Sequence, residues 1–318
     1  MINREQLRLT KQQECSARIE QMYEVIPALR TIDLQISQKS MGFIKKIVQE
    51  KQGQHNLQEL DQEVQLLIEQ RAKILAEHGL TEDVYQPQWD CPKCQDRGYV
   101  EAGVPCQCYI QERLNEQFAQ SGIPEAMRNY SFNNFDVSYY NDPTNMQEKK
   151  ERCQRFIERL KQGQQRSNLV FVGDVGRGKT HLSIAMANAA MANGNTVIYK
   201  RMDDLLDLIR SYKYDSDYQE ENGQEALQQL RRCDLLIIDD LGAEKITEFG
   251  SNQLRLILED RNMADKPWII NSNLSAADMD EAYGARTFDR IQEKASFFRF
   301  NSPTSIRQLK REKLLEEN

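Results

Sequence analysis

Asn168-Leu169-Val170-Phe171-Val172-Gly173-Asp174-Val175-Gly176-Arg177-Gly178-Lys179-Thr180 is a short apolar run, then a glycine-rich loop ending in Lys-Thr. It fits the G-x-x-x-x-G-K-[ST] template at every fixed position. Gly173, Gly176 and Gly178 let the backbone wrap closely around phosphate oxygens, where side chains would clash. The amides from Asp174 and Val175 through Arg177 then point inward at the start of a helix, whose dipole favours an anion. Lys179 can reach the β- and γ-phosphates of ATP, and the Thr180 hydroxyl can ligate Mg²⁺. The context also fits. Leu169 to Val172 is apolar enough for a buried parallel strand. Leu182, Ala185, Met186 and Ala189 recur at helical spacing after the loop, and Gly194 sits where a helix-ending glycine belongs.

A second apolar run, Leu235-Leu236-Ile237-Ile238, ends in Asp239-Asp240. On a parallel sheet, the carboxyl end of this strand lies beside the phosphate loop. Asp239 then holds Mg²⁺ through water or through Thr180, and Asp240 polarises the attacking water. One further strand candidate, Thr196 to Tyr199, falls between the two motifs. Trp268-Ile269-Ile270 forms another and runs into Asn271-Ser272-Asn273, where Asn273 could sense the γ-phosphate; an ordinary strand-ending turn reads equally well.

Cys91-Pro-Lys-Cys94 is followed by Cys106-Gln-Cys108. Four thiolates at this spacing can close a tetrahedral Zn²⁺ site, with Gly98, Tyr99, Val100 and Gly103 suited to a hairpin between the pairs. No secretory signal or long apolar run is visible, so the expected compartment is a reducing cytoplasm, with no membrane partner, and metal is favoured over two disulfides. Cys15, Cys153 and Cys233 show no ligand spacing and read as packing residues.

The 318 residues carry 42 Lys and Arg against 49 Asp and Glu, a formal net charge of −7. That argues against nucleic-acid binding by bulk electrostatics, though a local basic groove stays open. Residues 1–88 are rich in Gln, Glu, Lys and Leu. Leu57, Leu60, Val64, Leu67 and Ile74 follow a 3-4 apolar spacing with Arg71 in the seam, and His78-Gly79-Leu80 closes that helix. Ile26, Leu29, Ile36, Phe43, Ile44 and Ile47 suggest earlier amphipathic helices, with a turn at Gln52-Gly53-Gln54. Such a hairpin serves equally as a self-contained structure or as a docking surface. Further on, Asp142-Pro143-Thr144-Asn145 reads as a loop and helix start, Glu148 to Leu160 as helix, and Asp215 to Gly223 as an acidic loop.

The order of these motifs resembles that of AAA+ ATPases. More narrowly, Gly178-Lys179-Thr180-His181-Leu182, Ile237 to Gly242 (Ile-Ile-Asp-Asp-Leu-Gly) and Asn271-Ser272-Asn273-Leu274 resemble the bacterial helicase loaders DnaC and DnaI, and are similar to the transposition helper IstB and the initiator DnaA. Cys91 to Tyr99 also looks like the zinc-binding stretch of DnaI-type loaders. The resemblance implies that Arg290, in Ala285-Arg286-Thr287-Phe288-Asp289-Arg290-Ile291, acts as an arginine finger on ATP held by a neighbouring subunit. It implies that Arg307, in Ser305-Ile306-Arg307, is a sensor for bound nucleotide, and that His181 belongs to the nucleotide site. Two positions depart from the family pattern. Arg177 replaces a small or hydroxyl residue and raises the loop's local charge. Asp240 replaces the usual glutamate, so slow hydrolysis is expected. The helix after the second strand, with Arg210, Tyr212 and Lys213, corresponds to the family's single-stranded DNA contacts, though it reads as readily as an amphipathic helix with a basic end. Lys200 and Arg201 are weaker candidates.

The resulting expectation is an α/β AAA+ ATPase with a parallel sheet at 121–318, preceded by a helical helicase-docking domain at 1–88 and a Cys₄ zinc module with a linker helix at 89–120. Its function would be ATP-dependent loading of the replicative DNA helicase, with ATP, Mg²⁺ and Zn²⁺ as cofactors. Partners would be the helicase, single-stranded DNA without sequence preference, and further copies of the chain. An IstB-like transposition helper and a nucleotide-gated DNA-binding adaptor with negligible turnover are the alternatives.

Overall fold

The computed structural model describes residues 3–49, 57–101, 103–214 and 222–316. The chain folds as two compact units, Met1–Glu112 and Arg113–Asn318.

In the second unit a five-stranded parallel sheet has the order β4-β5-β6-β3-β7. The strands are β3 (Asn168–Val172), β4 (Val197–Arg201), β5 (Leu235–Leu241), β6 (Trp268–Ser272) and β7 (Ala295–Arg299). Helices cover both faces, which is why these strands read as continuous apolar runs rather than alternating ones. Alternate residues still divide between the faces. Leu169, Phe171, Leu235, Ile237 and Ile269 enter a core with helices α5 (Pro143–Lys161) and α6 (Lys179–Ala192). Val170, Leu236, Ile238, Trp268 and Ile270 enter a second core with α7 (Met202–Tyr214), α8 (Asn222–Arg232), α9 (Glu248–Met263), α10 (Ala276–Tyr283) and α11 (Ala285–Gln292). A last helix, α12, spans Ile306–Glu316.

Register sets the site. Val172 pairs with Ser272 on β6 and with Arg299 on β7, and Arg201 pairs with Asp239. The phosphate loop, Asp239 and Asn273 therefore leave the sheet at one edge. β4 begins at Val197 and runs to Arg201, two residues beyond the sequence expectation. α5 starts at Pro143 rather than Glu148, because the Asp142 carboxylate caps the Asn145 amide at 2.9 Å and proline suits the first turn. Of the expected acidic loop, residues 215–221 lie outside the described residues, and Gly223 is already in α8.

The first unit contains α1 (Arg4–Val25), α2 (Pro27–Gln49), α3 (Leu57–Glu77), a hairpin of β1 (Tyr99–Glu101) with β2 (Val104–Pro105), and the start of α4 (Gln107–Ser121). Met22, Ile26, Leu29 and Leu75 form its core. Arg71, the polar residue in the α3 seam, bonds Asp33 at 3.0 Å and Glu82 at 2.8 Å. Asp33 also accepts the hydroxyls of Tyr23 and Tyr85, so the charge in the seam is fully partnered. The Leu80 amide bonds the Leu75 carbonyl and Gly79 has φ +69°, the helix-closing geometry expected at 78–80. The turn expected at 52–54 lies outside the described residues. Among the described residues no helix is long and apolar enough to cross a membrane.

Candidate functional site

The loop Gly173–Gly178 arches from β3 into α6 and is pressed between other segments. Gly176 has φ +76°, and a Cβ there would fall 2.2 Å from Ser305 Oγ. Gly178 has φ +90°, and its Cβ would fall 2.4 Å from the Tyr140 hydroxyl. Both positions exclude a side chain by conformation and by space. Tyr140 donates to the Arg177 carbonyl at 2.9 Å, and the Ile306 amide donates to the Gly176 carbonyl at 2.9 Å.

Arg177 lines the cradle, and its charge adds to the burial that lowers the Lys179 pKa, as the sequence suggested. Its guanidinium donates to the Ser302 carbonyl at 2.5 Å and Ser302 Oγ at 3.0 Å, with Asp174 at 3.3 Å. The residue that departs from the pattern ties the loop to the segment before α12.

Lys179 is buried and donates to the carbonyls of Gly173 and Asp174 at 2.5 and 2.9 Å, and to Asn273 Oδ1 at 2.6 Å. Burial lowers its pKa, opposed by the charges of Asp239 and Asp240. Thr180 Oγ1 lies 3.1 Å from both carboxylate oxygens of Asp239. Asp239, 3% exposed, also accepts Tyr199 OH at 2.6 Å and Asn271 Nδ2 at 2.8 Å. This hydroxyl–carboxylate pair is the donor set that a hard, oxygen-seeking Mg²⁺ takes. Asp240 adopts φ +56° where the β5–β6 register shifts, so successive carboxylates diverge. It is partly exposed and lies 3.5 Å from Arg201 Nε. Burial, then the Asp239 charge, raises its pKa.

A cavity beside the loop is lined by Val175–His181, Asp240, Asn273, Ile306 and Arg307, together with Met127 and Tyr130. His181 stacks on Tyr130, ring centroids 4.4 Å apart, and bonds Asn134 at 2.8 Å. Arg290 does not line this cavity. It pairs with Asp289 at 3.5 Å on its own helix and with Glu293 at 2.9 Å at the helix C-cap. Sequence reasoning missed Tyr199, Tyr140, Met127 and Tyr130, singled out Asn273 where Asn271 of the same motif holds Asp239, and read Arg201 only as a weak DNA contact. Tyr199, Tyr140, Met127 and Tyr130 carry no motif, because each reaches the site through tertiary packing.

In the first unit the sulfurs of Cys91, Cys94, Cys106 and Cys108 all lie within 4.8 Å of one another. Cys91 and Cys106 are 3.7 Å apart, and Cys94 and Cys108 are 3.5 Å apart. Four bonds of about 2.3 Å to a tetrahedral zinc require sulfur separations of roughly 3.8 Å, so the cluster fits that ion. A hydrogen bond from the Cys94 backbone pulls the Cys91 thiol down to about 7, and burial pushes Cys108 up to about 12. Two unforeseen side chains shape the cluster. Asp96 accepts the amides of Asp90 and Cys91 at 3.0 and 2.7 Å. Arg4 lies over the Tyr109 ring, pairs with Glu112 and points a donor at Cys108 Sγ. Cys15, Cys153 and Cys233 are buried.

The family model described as IstB-like ATP binding protein matches residues 112–311. The replicative helicase loader DnaC of Escherichia coli (strain K12) is 23% identical over 180 residues, covering 57% of this chain and 70% of that protein. DnaC of Buchnera aphidicola subsp. Acyrthosiphon pisum (strain APS) is 25% identical over 181 residues, with the same coverage. The crystal structure of DnaI superposes with a TM-score of 0.48 at 22% identity, over 57% of this chain and 95% of that one.

Proposed function

The chain belongs to the IstB-like ATP-binding protein family, and from that premise we propose that it is an ATP-dependent loader of a replicative DNA helicase. The observation that carries the nucleotide half is the convergence of Lys179, Thr180, Asp239 and Asn273 from three strand ends on one glycine loop. Lys179 exchanges its carbonyl partners for the β- and γ-phosphates. Thr180 and Asp239 hold Mg²⁺, which neutralises phosphate charge. Asp240 orients and deprotonates water, Asn273 senses the γ-phosphate, and His181 and Arg307 flank the bound nucleotide. Arg290, which does not line the chain's own cavity, works in trans on a neighbour's ATP.

The loader half of the proposal rests on similarity to DnaC proteins and on what precedes the ATPase. Residues 1–88 form the helicase-docking region, and 89–120 form a Cys₄ zinc module with its linker helix. Residues 121–318 form the motor, and α7 contacts single-stranded DNA through Arg210, Tyr212 and Lys213. An IstB-like transposition helper shares the motor, but the long helical region and the cysteine cluster fit a loader better. The discriminating experiment is capture on immobilised full-length protein, with ATP, against the host's replicative helicase and against a transposase. Helicase retention supports loading; transposase retention alone overturns it.

A further inference from the structure

At the sheet edge formed by β7, a groove of ≈ 310 Å³ is lined by Arg152, Arg155, Arg159, Ser167, Ser296 and the buried rings of Phe156 and Phe298. The three arginines sit at i, i+3 and i+7 on α5, one face of a helix, and span about 10 Å along its axis. No acidic side chain lines the groove. Of the glutamates on the same helix, Glu151 accepts from Gln147 and Glu158 from Gln162, and Glu148, one turn before Arg152 on the arginine face, does not line the groove. In a chain of net charge −7, this is a local concentration of positive charge with no acidic side chain in its lining.

The arginines differ in their partners. Arg152 is held over Phe298, 4.6 Å from the ring centroid, and donates to Ser296 Oγ at 3.4 Å. Its fork is fixed while its remaining donors stay available. Arg155 and Arg159 are exposed and make no ion pair among the described residues. Charged side chains commonly guard an open edge strand against pairing, and β7 pairs only with β3 among the described residues. Here Arg152, together with Lys149 bonding the Arg299 carbonyl at 2.8 Å, already does that. No hydrogen bond joins Arg155 or Arg159 to β7 among the described residues, although both line the groove with Ser296 and Phe298.

We propose that this groove binds the phosphodiester backbone of a nucleic acid, as a contact separate from α7. Guanidinium forks match phosphate oxygens, Ser167 and Ser296 supply hydroxyls on the facing wall, and a row of three cations fits a repeating anion better than a single one. Phe156 and Phe298 are buried, so no base stacks here, and the contact carries no sequence information. The inference rests on the loader reading only in making nucleic acid the natural ligand.

The test is anisotropy of a labelled poly-dT strand and of a labelled duplex with full-length protein, titrated between about 50 and 200 mM salt. Each phosphate neutralised on a single strand contributes about 0.7 to the slope of log affinity against log salt. R152Q/R155Q/R159Q should therefore flatten the single-strand slope by about 2, and R155Q/R159Q, which removes no internal contact, by about 1.4. R155K/R159K should keep the slope, since charge is retained. Loss on the single strand only, or on the duplex only, supports the groove and identifies its source. Unchanged slope and affinity in both glutamine variants overturns it, as does a wild type that binds neither substrate. Aggregation of the variants with undiminished DNA affinity also overturns it and returns the arginines to edge protection. Helicase capture is scored separately, so a failed loader reading leaves this result standing.

Discussion

Tyr199→Phe deletes one oxygen and leaves the ring packed in the core shared with Val197, Leu235 and Ile237. That oxygen donates to Asp239 Oδ2 at 2.6 Å, inside a site where the carboxylate is 3% exposed. Without it, Oδ2 keeps only its share of a Thr180 hydroxyl that sits 3.1 Å from both oxygens. A hydrogen bond to a buried charge contributes about 1.5–3 kcal/mol, and burial leaves no water to replace it. For a unit the size of Arg113–Asn318, each kcal/mol moves the midpoint by roughly 2–4 °C, so loss of about 2 kcal/mol lowers the melting temperature by roughly 4–8 °C. The same oxygens face Thr180, so the Mg²⁺ needed to half-saturate binding of a fluorescent ATP should rise, while ATP binding without Mg²⁺ stays near wild type. Calorimetry without nucleotide and a Mg²⁺ titration read the two effects. A melting temperature within about 1 °C of wild type would show that the bond contributes nothing, and would refute the reasoning.

Other outcomes follow from the remaining contacts. Purified protein should carry about one zinc per chain, released by a thiol-modifying reagent, and Cys91→Ser or Cys106→Ser should lose it while keeping ATP affinity; elemental analysis showing no zinc in reduced wild type contradicts the Cys₄ reading. Arg290→Ala should bind ATP but lose hydrolysis, and mixing it with Lys179→Ala should restore part of the rate, because each supplies the half-site the other lacks; full activity of Arg290→Ala alone would move the finger to Arg286. Arg201→Ala removes a charge that lowers the raised Asp240 pKa. A base must be deprotonated, so the acid limb of the ATPase pH profile should move further up in pH, and a stationary limb would remove Asp240 from the role of base.

The parts legible in the sequence are those encoded locally. The glycine loop, the strand ending at Asp239, the cysteine pairs and the closure at Gly79 each lie within a dozen residues, where spacing alone fixes geometry. Helix α8 was missed from Asn222 because its glutamine-rich sequence offers few apolar anchors beyond Leu227 and Leu230. The tie from Arg177 to Ser302 was not foreseen, because Ser302 returns to the loop from 125 residues away. Tyr199 meets Asp239 only through the β4–β5 register, and Arg4 meets the cysteine cluster only through packing of α1. Such contacts depend on tertiary pairing that a single sequence does not spell out.

The central claim is that ATP held at Lys179 lets this protein place a helicase ring on DNA. The direct measurement is unwinding of a duplex annealed to a closed single-stranded circle, by the partner helicase, with and without the protein and ATP. The account predicts unwinding with wild-type protein and little with Lys179→Ala at equal helicase capture. Equal unwinding with both proteins, or with helicase alone, would contradict it.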